Sequence, residues 1–484
     1  MPVVHTHPVG RLPTPLLERL GITFILFGLL AVGLSLIGRF EASMWVSMLV
    51  MVVALPLYTL KAGNLLLSDL LSFGICFGYG MGSFTTLSNN EWDFESLFYI
   101  SAARPEDLCR AFSYSVMVCG VLGVFRRSIC KVTLREVLVY AGDSSAPIFG
   151  FLVPAAIFIL YAFAGGYLGY GGDVSSESSQ GSSALGSIAS ILLSVVFLYS
   201  AVILVVGRLH GRDRTCVWLI LLVCIVGMLT QGRRVLTFHA YMVLLILICV
   251  RGNTRAEQIK LAAGVVLVLL GMSVLVKLIY AFRLAGWELG SGISISERFE
   301  LGVDILLNAE KYDLNALFSD NMRERGFVIG YFANVISALD SYSNLFGRVL
   351  LFNIKLAIPA FLFPGKDAIQ GLGAEEDLYH PLIGLPVWDA ANSILVSSYV
   401  DFGLLGIFLV CVALLMVCDK LLQLCSSLGL SGARLQLYLL LAVNLVAIEN
   451  SLSSYFVLLR TVIAIFVISL FMQKLVVGAF SNRA

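Results

Sequence analysis

The sequence predicts an all-α, polytopic membrane bundle of about twelve transmembrane helices with one large outer loop. Three observations predict it. Of the 484 residues, 59% are hydrophobic and 13% charged, with a mean hydropathy of +0.92, against roughly 45–50% apolar and about 25% charged in soluble domains. No water-soluble fold hides that much apolar surface. The apolar residues also gather into runs long enough for a helix to cross the hydrocarbon core, which takes about 20 residues. Finally, the basic residues alternate from loop to loop.

Spans are expected near 20–37, 44–60, 65–87, 108–125, 148–170, 187–206, 215–231, 235–250, 261–282, 391–417, 435–449 and 457–474. Lys and Arg stay preferentially in short cytoplasmic loops, which sets the orientation. With the N-terminus and its Arg11 and Arg19 inside, alternate loops should be basic. The loop at 126–147 holds Arg126, Arg127, Lys131 and Arg135, that at 207–214 holds Arg208, Arg212 and Arg214, and that at 251–260 holds Arg251, Arg255 and Lys260. The opposite loops at 38–43, 88–107 and 171–186 carry only Arg39 and Arg104. An even span count puts the C-terminus, with Lys474 and Arg483, in the cytoplasm as well. The first span lacks a small-x-small cleavage site and reads as an uncleaved anchor. None of the 10 cysteines lies in the large outer loop, so neither a disulfide framework nor a Cys metal site is expected. No internal repeat of the transporter kind is evident.

This pattern divides the chain into 1–283 with the first nine spans, an outer loop domain at 284–390, and 391–484 with the last three spans. The loop is far longer than a connection requires. Phe299, Val303, Leu306 and Leu307 fall at helical spacing, and a second stretch from Phe327 to Leu339 does likewise. Both predict amphipathic helices lying on the outer membrane surface. The segment from Leu345 to Pro364 carries Arg348 and Lys355 and is broken by Pro359, which suits an interfacial or re-entrant helix. The Gly- and acid-rich stretch from Gly365 to Trp388 is expected to be mobile.

Basic residues on the outer side run against the positive-inside tendency. Arg233 and Arg234 follow Gly232 in a tight outer turn, where paired guanidiniums offer forked donors to phosphate oxygens. The alternative is that both snorkel to lipid headgroups. Lys277, Asp401 and Arg460 fall within the outer half of their spans, where ionisable groups mark functional sites by default. Pairing of Asp401 with Lys277 or Arg460 in a structural ion pair is the plainer reading. Arg283, above Lys277, would extend a positive wall.

Within the loop, Arg323 and Arg325 flank Glu324, and Glu375, Glu376 and Asp377 precede His380. Carboxylates hydrogen-bond sugar hydroxyls, and a histidine titrates where it must take or give a proton. A lone loop histidine is more often a surface residue. His239 falls within a span, where packing is the duller explanation. No His-x-x-x-His pair or outer-loop Asp-x-Asp suggests a metal.

Two stretches carry a family likeness: Ile358-Pro359-Ala360-Phe361-Leu362-Phe363-Pro364-Gly365-Lys366-Asp367, and Ala391-Asn392-Ser393-Ile394 leading to Tyr399-Val400-Asp401-Phe402-Gly403-Leu404-Leu405-Gly406. With the Gly-Arg-Arg turn and the long loop before the last three spans, they resemble the bacterial Wzy-type O-antigen polymerases, which join oligosaccharide repeat units. Asp367 stands where that family places Pro. The resemblance implies a GT-C-like helical membrane glycosyltransferase at the periplasmic face of the inner membrane. Its donor and acceptor would be glycans on undecaprenyl diphosphate. It also implies Arg233, Arg234, Arg283 and Arg460 on the diphosphate, with Arg323, Arg325 and Lys366 as further ligands. His380, Glu376 or Asp377, or Glu375, would act on the acceptor hydroxyl. The donor is already activated by its lipid, so no cofactor is expected, nor a metal or a nucleic acid. Membrane lipids, a chain-length regulator and a flippase are the partners it leaves room for.

Two rivals stay open. An O-antigen ligase would move a finished glycan to lipid A core. A lipid-linked glycan flippase or other transporter would use intramembrane charges equally well.

Overall fold

The computed structural model describes residues 15–84, 104–139, 147–165, 184–206, 211–230, 235–251, 277–278, 280–282, 284–286, 288, 295–308, 310–312, 328–358, 375–385, 392–461 and 463. Regular structure among the described residues is helical throughout. The first part of the chain forms α1 (Pro15–Leu36), α2 (Phe40–Leu60), α3 (Leu67–Ile75) and α4 (Pro105–Val124). Next come α5 (Pro147–Ala164), α6 (Ala184–Val206), α7 (Gly211–Thr230), α8 (Val235–Arg251) and α9 (Ile295–Leu307). The last part forms α10 (Val328–Ser341), α11 (Arg348–Ala357), α12 (Glu375–Tyr379), α13 (Ile394–Ser427), α14 (Ser431–Val446) and a helix, α15, over 452–461. Among the described residues, Leu16–Leu36, Phe40–Leu60, Pro105–Val124, Ile188–Val206 and Ile394–Ser427 are long and apolar enough to cross a membrane. The chain is a multi-pass helical membrane protein.

Contacts divide the chain into two units, one of Met1–Thr133, Arg323–Ala433 and Asn444–Ala484, the other of Leu134–Met322 and Arg434–Val443. The first takes residues 323–390 of the expected loop domain and the second takes 284–322.

In the first unit, α1 and α4 pack through glycine. A Cβ on Gly21 would stand 2.6 Å from the Val124 nitrogen, and one on Gly123 would stand 2.7 Å from the Gly21 Cα. Small residues at such crossings are how membrane helices gain contact without a hydrophobic drive between them. Beyond α3 the helix widens into a π turn at Cys76–Met81. Asp69 holds the start of α3: it accepts from the Leu66 backbone N–H at 2.8 Å and forms a bidentate ion pair with the buried Arg126, whose Nε lies 2.9 Å away. Arg126, counted in the sequence as one of a basic loop, thus has a specific buried partner.

α13 is broken. Gly403 has φ 60° and ψ −148° inside the span, a conformation that L side chains rarely adopt. The break is met by the segment before α11. Asn344 Nδ2 donates to the Tyr399 carbonyl at 2.9 Å, and the backbone N–H groups of Leu345 and Phe346 donate to the carbonyls of Val400 and Asp401 at 3.0 and 2.9 Å. Irregular backbone in a membrane persists where protein satisfies it in this way.

Two of the expected surface helices behave differently. α9 belongs to the second unit and is amphipathic: Ile305 packs on Tyr280, Ala281 and Ala285, while Leu307 is exposed. α10 is not a surface helix. Every residue from Val328 to Ile336 is buried, because α4 and α13 pack against it and close the face that the periodicity left to water or headgroups. α11 packs by one side only, with Val349, Phe352 and Asn353 buried and Leu351 and Ile354 exposed.

In the second unit, α6 packs against α5, α7 and α8. His239 on α8 is buried and meets the Phe197 ring edge-on, with centroids 5.4 Å apart, which is the packing role expected of it.

Candidate functional site

The loop segment 375–385, expected to be mobile, is packed into the first unit. Glu375, Tyr379 and His380 are fully buried and Ile383 nearly so. The physical reason is hydrogen bonding. A buried carboxylate is tolerated only when its lone pairs are satisfied, and Glu375 finds four donors on three segments. Asn353 on α11 donates to Oε2 and Asn392 to Oε1, each at 2.6 Å. Ser397 on α13 donates its hydroxyl to Oε1, and the Ser453 backbone N–H at the start of α15 donates to Oε2 at 3.1 Å. Burial pushes the Glu375 carboxyl up and these donors pull it back.

The same polar centre continues outward. Asn392 Oδ1 accepts from the Ser393 N–H at 2.8 Å, and the Ser393 hydroxyl caps α13 at Val396 while bonding Tyr79 OH at 2.7 Å. Asn353 and Asn392 donate to different oxygens of Glu375. The Asn353 Oδ1 is buried with no hydrogen-bond partner among the described residues.

Glu376, one residue on, is partly buried and reaches the same Asn392 side chain. Burial, then the charge of Glu375, pushes its carboxyl up to about 7. Two adjacent carboxylates are thereby set apart: one fixed by donors, the other poised to exchange a proton near neutrality. Asp377 is partly buried on the same turn.

His380 is enclosed rather than presented. Its Nε2 lies 2.5 Å from Tyr331 OH, which lies 2.6 Å from Tyr379 OH, and both tyrosine rings meet the imidazole edge-on. Which atom donates in each of these two contacts is set by the imidazole tautomer.

Asp401 is buried, and its carboxylate accepts from the backbone N–H groups of Val349 and Leu350 at 2.9 and 2.7 Å. It caps α11 from another helix, so its partners are amides rather than the Lys277 or Arg460 expected for an ion pair. A carboxylate at a helix N-terminus meets both orphan donors and the positive end of the dipole. Arg460 is partly buried on α15 in the first unit, and Lys277 is partly buried in the second. Arg233, Arg234, Arg283, Arg323, Arg325 and Lys366 lie outside the described residues. Among the described residues no group of three or more His, Cys, Asp and Glu is placed to hold a metal ion.

Glu375, Glu376 and His380 are therefore brought together, and Asp401 joins them through α11, which it caps and which carries Asn353. The amides and hydroxyls around Glu375 carried only a weak sequence signal: Ser393, Ser397 and Ser398 form a polar strip in an otherwise apolar span, and Asn353 interrupts an apolar helix face.

Comparison with known proteins adds one likeness. Residues 146–260, a stretch that includes α5 to α8 and none of these site residues, match a family described as "Protein of unknown function (DUF805)". Neither a curated protein nor a solved structure matches the chain.

Proposed function

We propose that this chain polymerises undecaprenyl-diphosphate-linked oligosaccharide repeat units into O-antigen or a similar surface polysaccharide at the periplasmic face of the bacterial inner membrane. In this reading it is a GT-C-like protein of about twelve spans, with cytoplasmic termini and a periplasmic loop over 284–390. The observation that supports it is the pairing of Glu375 with Glu376 in a centre built from that loop and the last spans.

The chemistry asks for a base at the acceptor and cations at the leaving group. Glu376 takes the proton of the acceptor sugar hydroxyl as its oxygen attacks the anomeric carbon of the donor. The bond from that carbon to the phosphate oxygen breaks, and undecaprenyl diphosphate leaves with the electron pair. Arg233, Arg234 and Arg460 meet the charge developing on the diphosphate, with Arg283, Arg323, Arg325 and Lys366 as further ligands. Glu375 holds the turn that presents Glu376, and the His380–Tyr331–Tyr379 chain fixes its far end.

Purified protein in vesicles with synthetic lipid-linked repeat units tests this reading. Extension of the glycan is expected, and loss of it in Glu376→Gln. Translocation without extension would leave a transporter. In cells, deletion is expected to leave a core capped by a single repeat unit, whereas an uncapped core would make the protein a ligase.

A further inference from the structure

Two asparagine amides reach Glu375, and they are not equivalent. Asn353 Nδ2 donates to Oε2 and Asn392 Nδ2 to Oε1, each at 2.6 Å. The Asn353 Oδ1 has no hydrogen-bond partner among the described residues, so no second bond fixes which way that amide faces. The Asn392 amide is fixed. Its Oδ1 accepts the Ser393 N–H at 2.8 Å, and Ser393 is the residue that caps α13. With its oxygen committed to the backbone, Asn392 turns its nitrogen toward the carboxylates. One hydrogen meets Glu375, and the same side chain is a donor to Glu376.

An amide nitrogen carries two hydrogens, one for each of two acceptors. Neighbouring carboxylates raise each other's proton affinity, and a donor that serves both lowers it for both. Burial and then the Glu375 charge push Glu376 up, and Asn392 pulls it back. A serine hydroxyl has one hydrogen to give and an ionised carboxylate none, so neither fills the place of the amide. Asn392 is 3% exposed, which keeps bulk water from taking over.

We infer that Asn392 is a positioning residue: anchored to the start of α13, it gives one amide hydrogen to Glu375 and the other to Glu376, and so holds the pair in the arrangement from which Glu376 acts. The action of Glu376 as a base rests on the polymerase reading, and the shared amide does not. Asn353 supplies the contrast. It stands at the same distance from Glu375, and Glu375 is its hydrogen-bond partner among the described residues.

The test is a pH titration of full-length protein in vesicles, with isotope-labelled glutamate carboxyls followed by infrared difference spectroscopy. The Glu376 band is identified by its loss in Glu376→Gln. Asn392→Ala is expected to move the Glu376 titration up by about one pH unit or more, the size of a hydrogen bond to a charged group. Asn353→Ala takes a donor from Glu375 only. It is expected to leave the Glu376 titration in place or lower it, because a Glu375 that holds its proton more readily repels Glu376 less. Equal shifts in the two variants, or none in Asn392→Ala, overturn the inference. Should Asn392→Ala fail to fold, Asn392→Ser takes its place with the same expected direction. Initial rates of glycan extension over the same pH range separate the two readings. An upward shift in Asn392→Ala when the parent protein extends no glycan keeps the shared amide and removes the polymerase reading. Extension by the parent, with a titration that Asn392→Ala leaves unmoved, does the reverse.

Discussion

The Asp401 carboxylate takes the Val349 backbone N–H at 2.9 Å and so ties the broken span α13 to the first turn of α11. α11 in turn supplies Asn353 to Glu375. Asp401→Ala removes a cap with charge-assisted bonds, for which about 2 kcal/mol is expected. The loss should appear as a lower melting temperature and faster hydrogen exchange at Val349 and Leu350. Asp401→Asn, which keeps one oxygen acceptor, should recover part of both.

A base must be ionised to work. An ordinary glutamate, at about 4.3, would leave activity flat across the neutral range. With Glu376 pushed up to about 7, transfer should instead rise as pH rises through that value. Glu375→Gln removes the charge that helps raise Glu376, so the rising limb should move to lower pH. Glu376→Gln should abolish the limb and cost about 10²–10⁴ in rate. Initial rates of glycan extension between pH 5 and 9 check all three.

Close approach at α1 and α4 leaves no room for a side chain. Gly21→Leu drives carbon into the backbone at Gly123 and Val124, and about 1–3 kcal/mol of destabilisation is expected from overpacking. Gly33, whose Cβ would meet nothing within 4 Å, is the control on the same helix: Gly33→Leu should leave the detergent-solubilised melting temperature within error of the parent.

Arg126→Met strands the Asp69 carboxylate, whose side chain is 2% exposed. Breaking a buried pair from one side costs about 3–5 kcal/mol. The double variant Asp69→Asn with Arg126→Met removes both charges and should restore most of the loss, as read from thermal unfolding in the same detergent.

The helical, multi-pass character was legible because hydropathy and helical period are properties of a segment. The amphipathic faces of α9 and α11 could be read for the same reason. α10 could not: its pattern has an apolar face, and only the packing of α4 and α13 buries the remainder. The carboxylates illustrate the limit more sharply. Glu375 and Glu376 are the same residue side by side, and a helical step of about 100° separates their directions. Which one turns inward depends on Asn353, Asn392, Ser397 and Ser453, spread over a hundred positions of chain. Asp401 stood out in sequence as an intramembrane charge, and the obvious partner for a charge is another. It instead caps a helix whose donating turn lies 52 and 51 residues earlier, at Val349 and Leu350.

Tyr79 and Ser393 share a hydrogen bond across 314 positions of sequence, and the unit that holds them is interrupted by residues 134–322. The consequence concerns biogenesis. A ribosome that has delivered the first 133 residues to the membrane has made half a unit whose complement is still unwritten. The Glu375 centre closes only when Ser453, near the end of the chain, has emerged. The early helices must therefore wait in the bilayer through most of translation, held by their own contacts such as the glycine crossing of α1 and α4 and the Asp69–Arg126 pair. A chain cut short before α15 would keep its anchors in the membrane and lack a finished site.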